Sequence, residues 1–224
     1  MKNRVKLDVT ILLIVVLGAS LILCLQPKFF PQGIYEKMFD FLGIIVLTQG
    51  VFLRMAARGH KTSFSASSNE LVTSGPYAFT RNPMYLGSFL IGCGYILILW
   101  PWWAIFIFAA FFYFRFNRQM ESEEIWLKGK FAGVYDDYCR NVPRIFPSPL
   151  KWLRARAREV FNIKEAFSTK EKNGLWGWPL LAFCLDYIQE IFIYGKAVFL
   201  LNFEIFVAGM LLFAVVFTAR FYLR

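Results

Sequence analysis

Long apolar runs without charge alternate along the chain with shorter polar segments. Uncharged runs cover residues 9–25, 41–53 and 82–114, and between Ala197 and Ala219 the only charged residue is Glu204. About 20 helical residues cross the ~30 Å hydrocarbon core of a bilayer. The pattern therefore predicts an all-α, polytopic membrane protein of about six spans. We expect them over residues 7–25, 35–55, 176–194 and 197–219, with two more within 82–114.

The run 82–114 is too long for one crossing. As one straight helix its 33 residues would extend ~50 Å at 1.5 Å per residue. Its middle holds Trp100-Pro101-Trp102-Trp103, where Pro disrupts a helix and Trp favours the membrane interface. We predict a tight helical hairpin that turns at these residues. Its second arm continues as a helix into the charged stretch from Arg115.

Most basic residues lie on one side of the predicted spans: at the N-terminus, in 54–81, in 115–158, and at Arg220 and Arg224. The opposite side has only Lys28, Glu36, Lys37 and Lys196 near span ends. The positive-inside rule places the more basic side, with both termini, in the cytoplasm. We expect a bacterial inner-membrane protein. We divide the chain into an N-terminal pair of spans (1–56), a core of loop, hairpin and cytoplasmic helix (57–149), and a C-terminal part (150–224). That last part opens with a basic stretch, Lys151–Arg158, which forms either a membrane-surface helix or a topology anchor.

Composition agrees with this frame. The chain is 58% hydrophobic and carries a formal net charge of +10, against roughly 45–50% apolar in soluble domains. Because the basic residues flank apolar spans, we expect the bilayer and a lipophilic molecule as partners, and no nucleic acid. The four cysteines show neither a zinc spacing nor a redox pair, so we expect no metal. Nothing in the sequence indicates an oligomeric state.

Two polar clusters flank the hairpin. One runs from Leu71 to Gly87 and contains Arg81-Asn82-Pro83-Met84-Tyr85. The other begins at Glu123-Glu124 and ends at Pro143-Arg144 and Pro147. A hairpin returns the chain to the same face, so the clusters should meet there. Pro83 suits a first helical turn, and the N–H groups at such a helix start favour an anionic group.

The adjacent Glu123 and Glu124 point about 100° apart on a helix, so only one of them is expected to face a pocket directly. A carboxylate there suits a ligand ammonium group. The alternative, from the residues alone, is a solvated acidic surface beside Lys128 and Lys130.

The two clusters resemble the signature of the isoprenylcysteine carboxyl methyltransferase and phospholipid methyltransferase superfamily of membrane enzymes. The spacing from Glu123 through Leu127, Phe131, Tyr135 and Tyr138 matches at every step. The resemblance covers about residues 40–149 and is strongest over 69–147. It implies direct in-line transfer of a methyl group from S-adenosylmethionine to a lipid or other membrane-associated acceptor, in which the protein mainly supplies alignment and a dry site.

The resemblance also implies roles for individual residues. Glu123 would contact the amino-acid end of the cofactor, with Glu124 in support. The full cofactor set is Asn69, Glu70, Leu71, Val72, Tyr77, Asn82, Pro83, Met84, Tyr85, Glu123 and Glu124. Catalytic roles fall to Arg81, Asn82 and Tyr85, and substrate binding falls to Arg115, Arg118 and Gln119. Gly92-Cys93-Gly94 is similar to a Gly-x-Gly element of the phospholipid enzymes, or else permits close helix packing.

Three positions depart from the pattern. Asn82 replaces a frequent histidine and cannot shuttle a proton near neutral pH. Ala132 occupies the position of a glycine that is displaced here to Gly133. Gln119 stands where isoprenylcysteine enzymes have an arginine for the substrate carboxylate, which argues against that acceptor.

Other residues leave alternatives open. His60, the only histidine, is either a base for an amine or thiol acceptor or a solvated loop residue. Asp186, Gln189 and Glu190 share one helix face, either in a substrate cavity or at the interface. Two rival functions remain: an NADPH-dependent membrane reductase of the sterol-reductase type, and a non-enzymatic transporter or assembly protein in which Asp186, Glu190 and Glu204 line an ion path.

Overall fold

The structure is a computed structural model, and it describes residues 34–67, 70–148, 161–194 and 199–222. All regular secondary structure in these ranges is helical, which confirms the all-α class. The helices are α1 (Ile34–Ser67), α2 (Pro83–Leu99), α3 (Ala104–Asn141), α4 (Ile163–Phe167), α5 (Gly174–Tyr194) and α6 (Phe199–Tyr222). Short 3-10 helices lie at Gly75–Ala78 and Lys170–Asn173. Predicted span 7–25, the basic stretch 151–158 and Asn69 fall outside the described residues.

The first described helix is longer than expected. Residues 56–67 were predicted as part of a polar loop, but α1 continues through them to Ser67. Ala56 and Ala57 are buried in this extension, and the Thr62 hydroxyl donates to the carbonyl of Arg58, 2.8 Å away. The extension contains no proline, and tertiary contacts along one face can keep a segment of weak helix propensity helical. Helix therefore replaces the expected loop as far as Ser67.

Helices α1 and α2 touch through two pairs of glycines. A Cβ atom on Gly50 would lie 2.6 Å from the carbonyl oxygen of Gly87, and one on Gly94 would lie 2.7 Å from that of Gly43. Small residues at matching positions let two helix backbones approach closely. Gly92 instead faces α3, where its Cβ would lie 2.2 Å from the Phe108 ring. The glycines around Cys93 thus serve helix packing and do not line the cavity described below.

The predicted hairpin is present. α2 begins at Pro83, as its sequence position predicted, and ends at Leu99; Trp100–Trp103 form the turn before α3. The amide of Ala104 donates to the carbonyl of Pro101, 2.9 Å away, and closes the turn. As expected, α3 continues well past Arg115 into the charged segment.

The charged end of α3 bends sharply at Ala132, whose backbone has φ 40° and ψ −123°. The Lys128 ammonium lies 3.0 Å from the Asp136 carboxylate, although eight residues of straight helix would rise by about 12 Å. The last turns of α3 are therefore redirected, and Tyr135, Tyr138 and Val142 become a small buried cluster of their own.

The C-terminal helices cover α1 and α2. Lys37 of α1 binds both Asp40, at 3.3 Å, and Glu190 of α5. Gln189 donates to the carbonyl of Leu99 at 3.0 Å and so caps the end of α2. On the predicted polar face of α5, Gln189 is thus buried against the end of α2 and Glu190 against Lys37 of α1, whereas Glu204 on α6 is exposed.

Within the described ranges, one helix is long and apolar enough to cross a membrane, over Tyr35–Phe64. Pro83–Leu99 and Phe203–Val215 are shorter apolar helices. These apolar helices are consistent with a membrane-embedded protein. The count of six spans stays a prediction.

Candidate functional site

A cavity of about 910 Å³ opens where the end of α1, the segment 70–85 and the polar half of α3 meet. The hairpin produces this meeting, because it carries α3 back past the start of α2. The kink at Ala132 closes the cavity from the third side, since Phe131, Tyr135 and Tyr138 all line it. Both polar clusters of the sequence contribute to this cavity.

Most residues with a predicted site role line the cavity. These are Glu70, Leu71, Val72, Tyr77, Arg81, Asn82, Pro83, Met84, Tyr85, Arg115, Gln119, Glu123 and Glu124. Arg118 is exposed on α3 and does not line it. Both glutamates line it, although only one of the pair was expected to face the pocket directly.

Glu124 is held in an ionic cluster. Its Oε1 atom accepts a hydrogen bond from Arg144 Nε at 3.1 Å and lies 3.5 Å from Arg81 Nη1. Asn82 Nδ2 approaches the same oxygen at 3.5 Å and donates to the Arg144 carbonyl at 3.1 Å. Burial lowers the pKa of Arg81, but Glu124, Cys139 and Tyr135 together outweigh it, so the net shift is upward. Glu124 and Asn82 therefore join the two ends of the hairpin.

Two donor atoms of this cluster stay unsatisfied. Arg81 Nε and Arg144 Nη2 are buried, and within the described part of the chain neither has a hydrogen-bond partner. An unmet donor on a charged group is costly, and such atoms in a cavity wall often mark a site that a ligand completes.

Glu123 differs from its neighbour. It is exposed to the cavity, and its Oε1 accepts a hydrogen bond from the Tyr85 hydroxyl at 2.8 Å. Among the described residues its hydrogen-bond partner is this neutral hydroxyl and no cation pairs with it, so Glu123 can bind a cationic group. The resemblance implied that Glu123 contacts the cofactor and that Glu124 supports it. That division of roles stays a prediction, and the fold adds the contacts that distinguish the two side chains.

The segment 70–82 forms the floor of the cavity and is tied down at several points. The Tyr138 hydroxyl donates to the Tyr77 carbonyl at 2.7 Å, and the Arg81 amide donates to the Pro143 carbonyl at 2.9 Å. Burial, reinforced by Glu123, raises the pKa of the Tyr77 phenol. Burial and then Glu124 raise the pKa of Tyr135 to about 12. Both phenols stay neutral at physiological pH.

His60 lies on α1 and not on a loop. Its Nδ1 is 3.0 Å from the Glu165 carboxylate and its Nε2 is 2.8 Å from the Ser74 hydroxyl. It does not line the cavity. With both ring nitrogens engaged outside the cavity, His60 is not placed to take a proton from a bound acceptor.

Sequence reasoning missed several lining residues. Arg54, Arg58 and Lys61 follow one another at i, i+4 and i+7, the spacing of one helix face. The spacing is visible in the sequence, but it indicates a shared face only if residues 54–61 are helical. Other unassigned lining residues are Ser88, Phe116, Trp126, Leu127, Lys130, Phe131, Tyr135 and Tyr138. Four of these belong to the matched motif but had no assigned role.

The chain resembles several known proteins. Residues 39–133 match a family model described as phospholipid methyltransferase. The chain is 28% identical over 138 residues to the protein-S-isoprenylcysteine O-methyltransferase of Schizosaccharomyces pombe, covering 58% of each chain. It is 30% identical over 136 residues to the protein of the same name from Mus musculus, covering 55% of this chain and 46% of that one.

A third relative is the nickel-cobalt-cadmium resistance protein NccN of Alcaligenes xylosoxydans xylosoxydans, 32% identical over 138 residues and covering 60% of each chain. The matches thus span about half to three fifths of the length of these relatives. No solved structure matches the chain with significance.

Proposed function

We propose that the chain is an integral membrane methyltransferase, because residues 39–133 match the phospholipid methyltransferase family model. Its methyl donor is S-adenosylmethionine, and its acceptor is a lipid or a lipophilic molecule that reaches the cavity from the bilayer. The observation that carries the proposal is the pairing of an uncompensated carboxylate, Glu123, with an aromatic wall in one cavity beside the hairpin.

The residues present fit this donor. A volume of about 910 Å³ lies within the ~300–1,000 Å³ range of small-molecule sites. Glu123 suits the ammonium of the donor's amino-acid end. Seven aromatic side chains, Tyr77, Tyr85, Phe116, Trp126, Phe131, Tyr135 and Tyr138, line the cavity. Their faces suit both an adenine ring and, through cation–π attraction, a sulfonium.

When bound, S-adenosylmethionine supplies a methyl group on an already activated sulfur. The chain's own residues then need only bind, align and exclude water. Tyr85 orients the Glu123 carboxylate, and the Asn82–Glu124–Arg144 contacts fix the distance between the two walls. The turn of α3 after Ala132 places Tyr135 and Tyr138 in the cavity wall, and their rings fill space that water would otherwise occupy.

Charge in the cavity favours an anionic acceptor. Six basic residues line it, Arg54, Arg58, Lys61, Arg81, Arg115 and Lys130, against three acidic ones, Glu70, Glu123 and Glu124. Reaction between a cationic donor and an anionic acceptor removes both charges, a process that a low-dielectric site favours. Because Gln119 stands at the position of the arginine in isoprenylcysteine enzymes, we assign the acceptor anion to Arg115, and to Arg58 from α1.

We place this cavity on the cytoplasmic side, with both termini there, because the basic flanking residues lie at that end of α1, α2 and α3. The donor is a soluble metabolite of that compartment. Methylation at the interface thus joins a water-soluble donor to a membrane-embedded acceptor.

Direct binding tests the proposal. Purified protein in detergent is titrated with S-adenosylmethionine by calorimetry, beside Glu123→Gln and the control Asp137→Asn, which alters an exposed carboxylate elsewhere on α3. We expect wild type and Asp137→Asn to bind alike, and Glu123→Gln to bind at least about tenfold more weakly, equivalent to 1.4 kcal/mol, without a change in melting temperature. Unchanged binding in Glu123→Gln contradicts the site.

The acceptor is identified by a second experiment. The protein is incubated with membranes and methyl-labelled S-adenosylmethionine, and the labelled lipids are resolved by mass spectrometry. A labelled anionic headgroup or lipid carboxylate supports the charge argument, and a labelled neutral amine contradicts it. Tight binding of NADPH without binding of S-adenosylmethionine would point to the reductase class instead.

A further inference from the structure

A short segment beyond the family match lies against the outside of the cavity. Residues 163–173 comprise α4 and the following 3-10 helix, and they run antiparallel to the end of α1. Glu165 pairs with His60, and six residues later Glu171 pairs with Arg54, six residues earlier on α1. At Gly59 the two backbones touch, since a Cβ there would lie 2.3 Å from the Glu165 carbonyl oxygen.

Each of these two carboxylates is linked to a serine through a side chain of α1. Glu165 holds His60 Nδ1 at 3.0 Å, and His60 Nε2 holds the Ser74 hydroxyl at 2.8 Å. Glu171 binds Arg54 with two oxygens, at 3.1 and 3.2 Å, and Arg54 in turn contacts Ser88 on α2. The Glu171–Arg54–Ser88 contacts fix the register of the segment on α1, because a bidentate guanidinium–carboxylate pair sets orientation as well as distance.

The Glu165–His60–Ser74 contacts end at the loop that forms the cavity floor. Leu71, Val72 and Tyr77 line the cavity from one side of this loop, and Ser74 and Gly75 between them meet His60 on the other side. Gly75 has φ 60°, and a Cβ on it would lie 2.9 Å from the His60 ring. The imidazole thus occupies the space next to the turn, and the hydroxyl contact fixes the loop's distance from α1.

We propose that Glu165 and His60 are positioning residues for the methyl donor, acting through Ser74 on the loop that carries Leu71, Val72 and Tyr77. This inference rests on the proposed function, since it assumes that the loop binds the donor. The Glu165 carboxylate accepts from Nδ1–H and so fixes the plane of the ring, which leaves Nε2 directed at Ser74. The family match ends at residue 133. Glu165 lies in the segment 163–173 outside that match, and this segment would therefore influence the affinity for the methyl donor.

The test measures the affinity of the full-length protein in detergent for S-adenosylmethionine. Ser74→Ala, His60→Ala and Glu165→Ala should each weaken binding about 3- to 10-fold, the range of one lost hydrogen bond in a positioning chain. Glu165→Gln, which still accepts from Nδ1–H, should restore affinity to within about twofold of wild type. Thr73→Ala, an exposed neighbour outside the contacts, is the matched control.

Two further measurements separate positioning from a general loss of structure. The double variant His60→Ala/Glu165→Ala should bind no more weakly than His60→Ala alone, because both act through one chain of contacts. Gly59→Ala, which displaces the Glu165 backbone, should weaken binding as Glu165→Ala does. The inference is overturned if the fold-losses of affinity of the two single variants multiply in the double variant. It is also overturned if Thr73→Ala loses as much affinity as Ser74→Ala.

The outcome also distinguishes this inference from the proposed function. If wild type binds and Glu123→Gln does not, while the Ser74, His60 and Glu165 variants bind as wild type does, the site stands and the positioning chain is refuted. If wild type itself does not bind S-adenosylmethionine, the proposed function falls and the inference falls with it.

Discussion

Replacing Ala132 by glycine should stabilise the protein, although the same change in an ordinary helix destabilises it. Ala132 has φ 40° and ψ −123°, a region that alanine rarely adopts and glycine adopts freely. The side chain is exposed, so its removal leaves no cavity. The position is also where the resembled family carries its glycine, which lies one residue later here, at Gly133.

The magnitude follows from two opposing terms. A non-glycine residue held in such a conformation costs about 1–3 kcal/mol. Glycine recovers that strain but loses about 0.5–1 kcal/mol through the greater freedom of the unfolded chain. The net gain is about 1 kcal/mol, which corresponds to roughly 2–4 °C in melting temperature for a chain of this size. In a straight helix the sign is opposite, with a loss of about 1 kcal/mol.

Thermal unfolding in detergent, followed by tryptophan fluorescence, measures the difference. The matched control is Gly133→Ala, because that glycine has helical geometry and a Cβ on it meets nothing within 4 Å. It should stabilise by about 1 kcal/mol through helix propensity alone. A lower melting temperature for Ala132→Gly would show that α3 is straight there, and the account of how Tyr135 and Tyr138 reach the cavity would be wrong.

Three more changes test the packing and the site. Glu124→Gln leaves two arginines without their counter-charge and should cost about 1–3 kcal/mol, seen as a melting temperature several degrees lower; an unchanged value would contradict the ionic cluster. Gly94→Ala should destabilise by about 1–2 kcal/mol through overpacking against α1, whereas Gly129→Ala, with open space around it, should raise the melting temperature. Tyr138→Phe removes the hydroxyl that holds the loop carbonyl; we expect donor affinity in calorimetry to fall about threefold, and equal affinity would refute this role.

Much of the fold follows from local pattern. The absence of charge over 82–114 and the central Trp-Pro-Trp-Trp segment were enough to predict the hairpin. Pro83 marked the start of its first arm for the steric reason that proline fits a first turn. By contrast, the extension of α1 to Ser67 could not be predicted, because polar residues from Arg58 onward remain helical only when Gly59 and the buried alanines contact other segments.

The site shows the same division. The motif residues around Asn82 and Glu123 were expected to converge, because a hairpin returns the chain to one face. That Arg54, Arg58 and Lys61 join them depends on α1 being a helix at that point. Arg118, adjacent to lining residue Gln119, was assigned to the site but lies outside it, since one residue rotates a side chain by about 100°.

What the sequence by itself determined is the all-α class and the meeting of two polar clusters, and it predicts the membrane character, since each depends on charge-free length or on spacing along one helix. Only the tertiary structure shows that Arg81 and Arg144 hold Glu124, and that the helix bends at Ala132. It also decided that Glu165, far away in the sequence, holds His60 against Ser74. These features depend on contacts between segments that are distant along the chain, and such contacts leave no periodic signal in either segment.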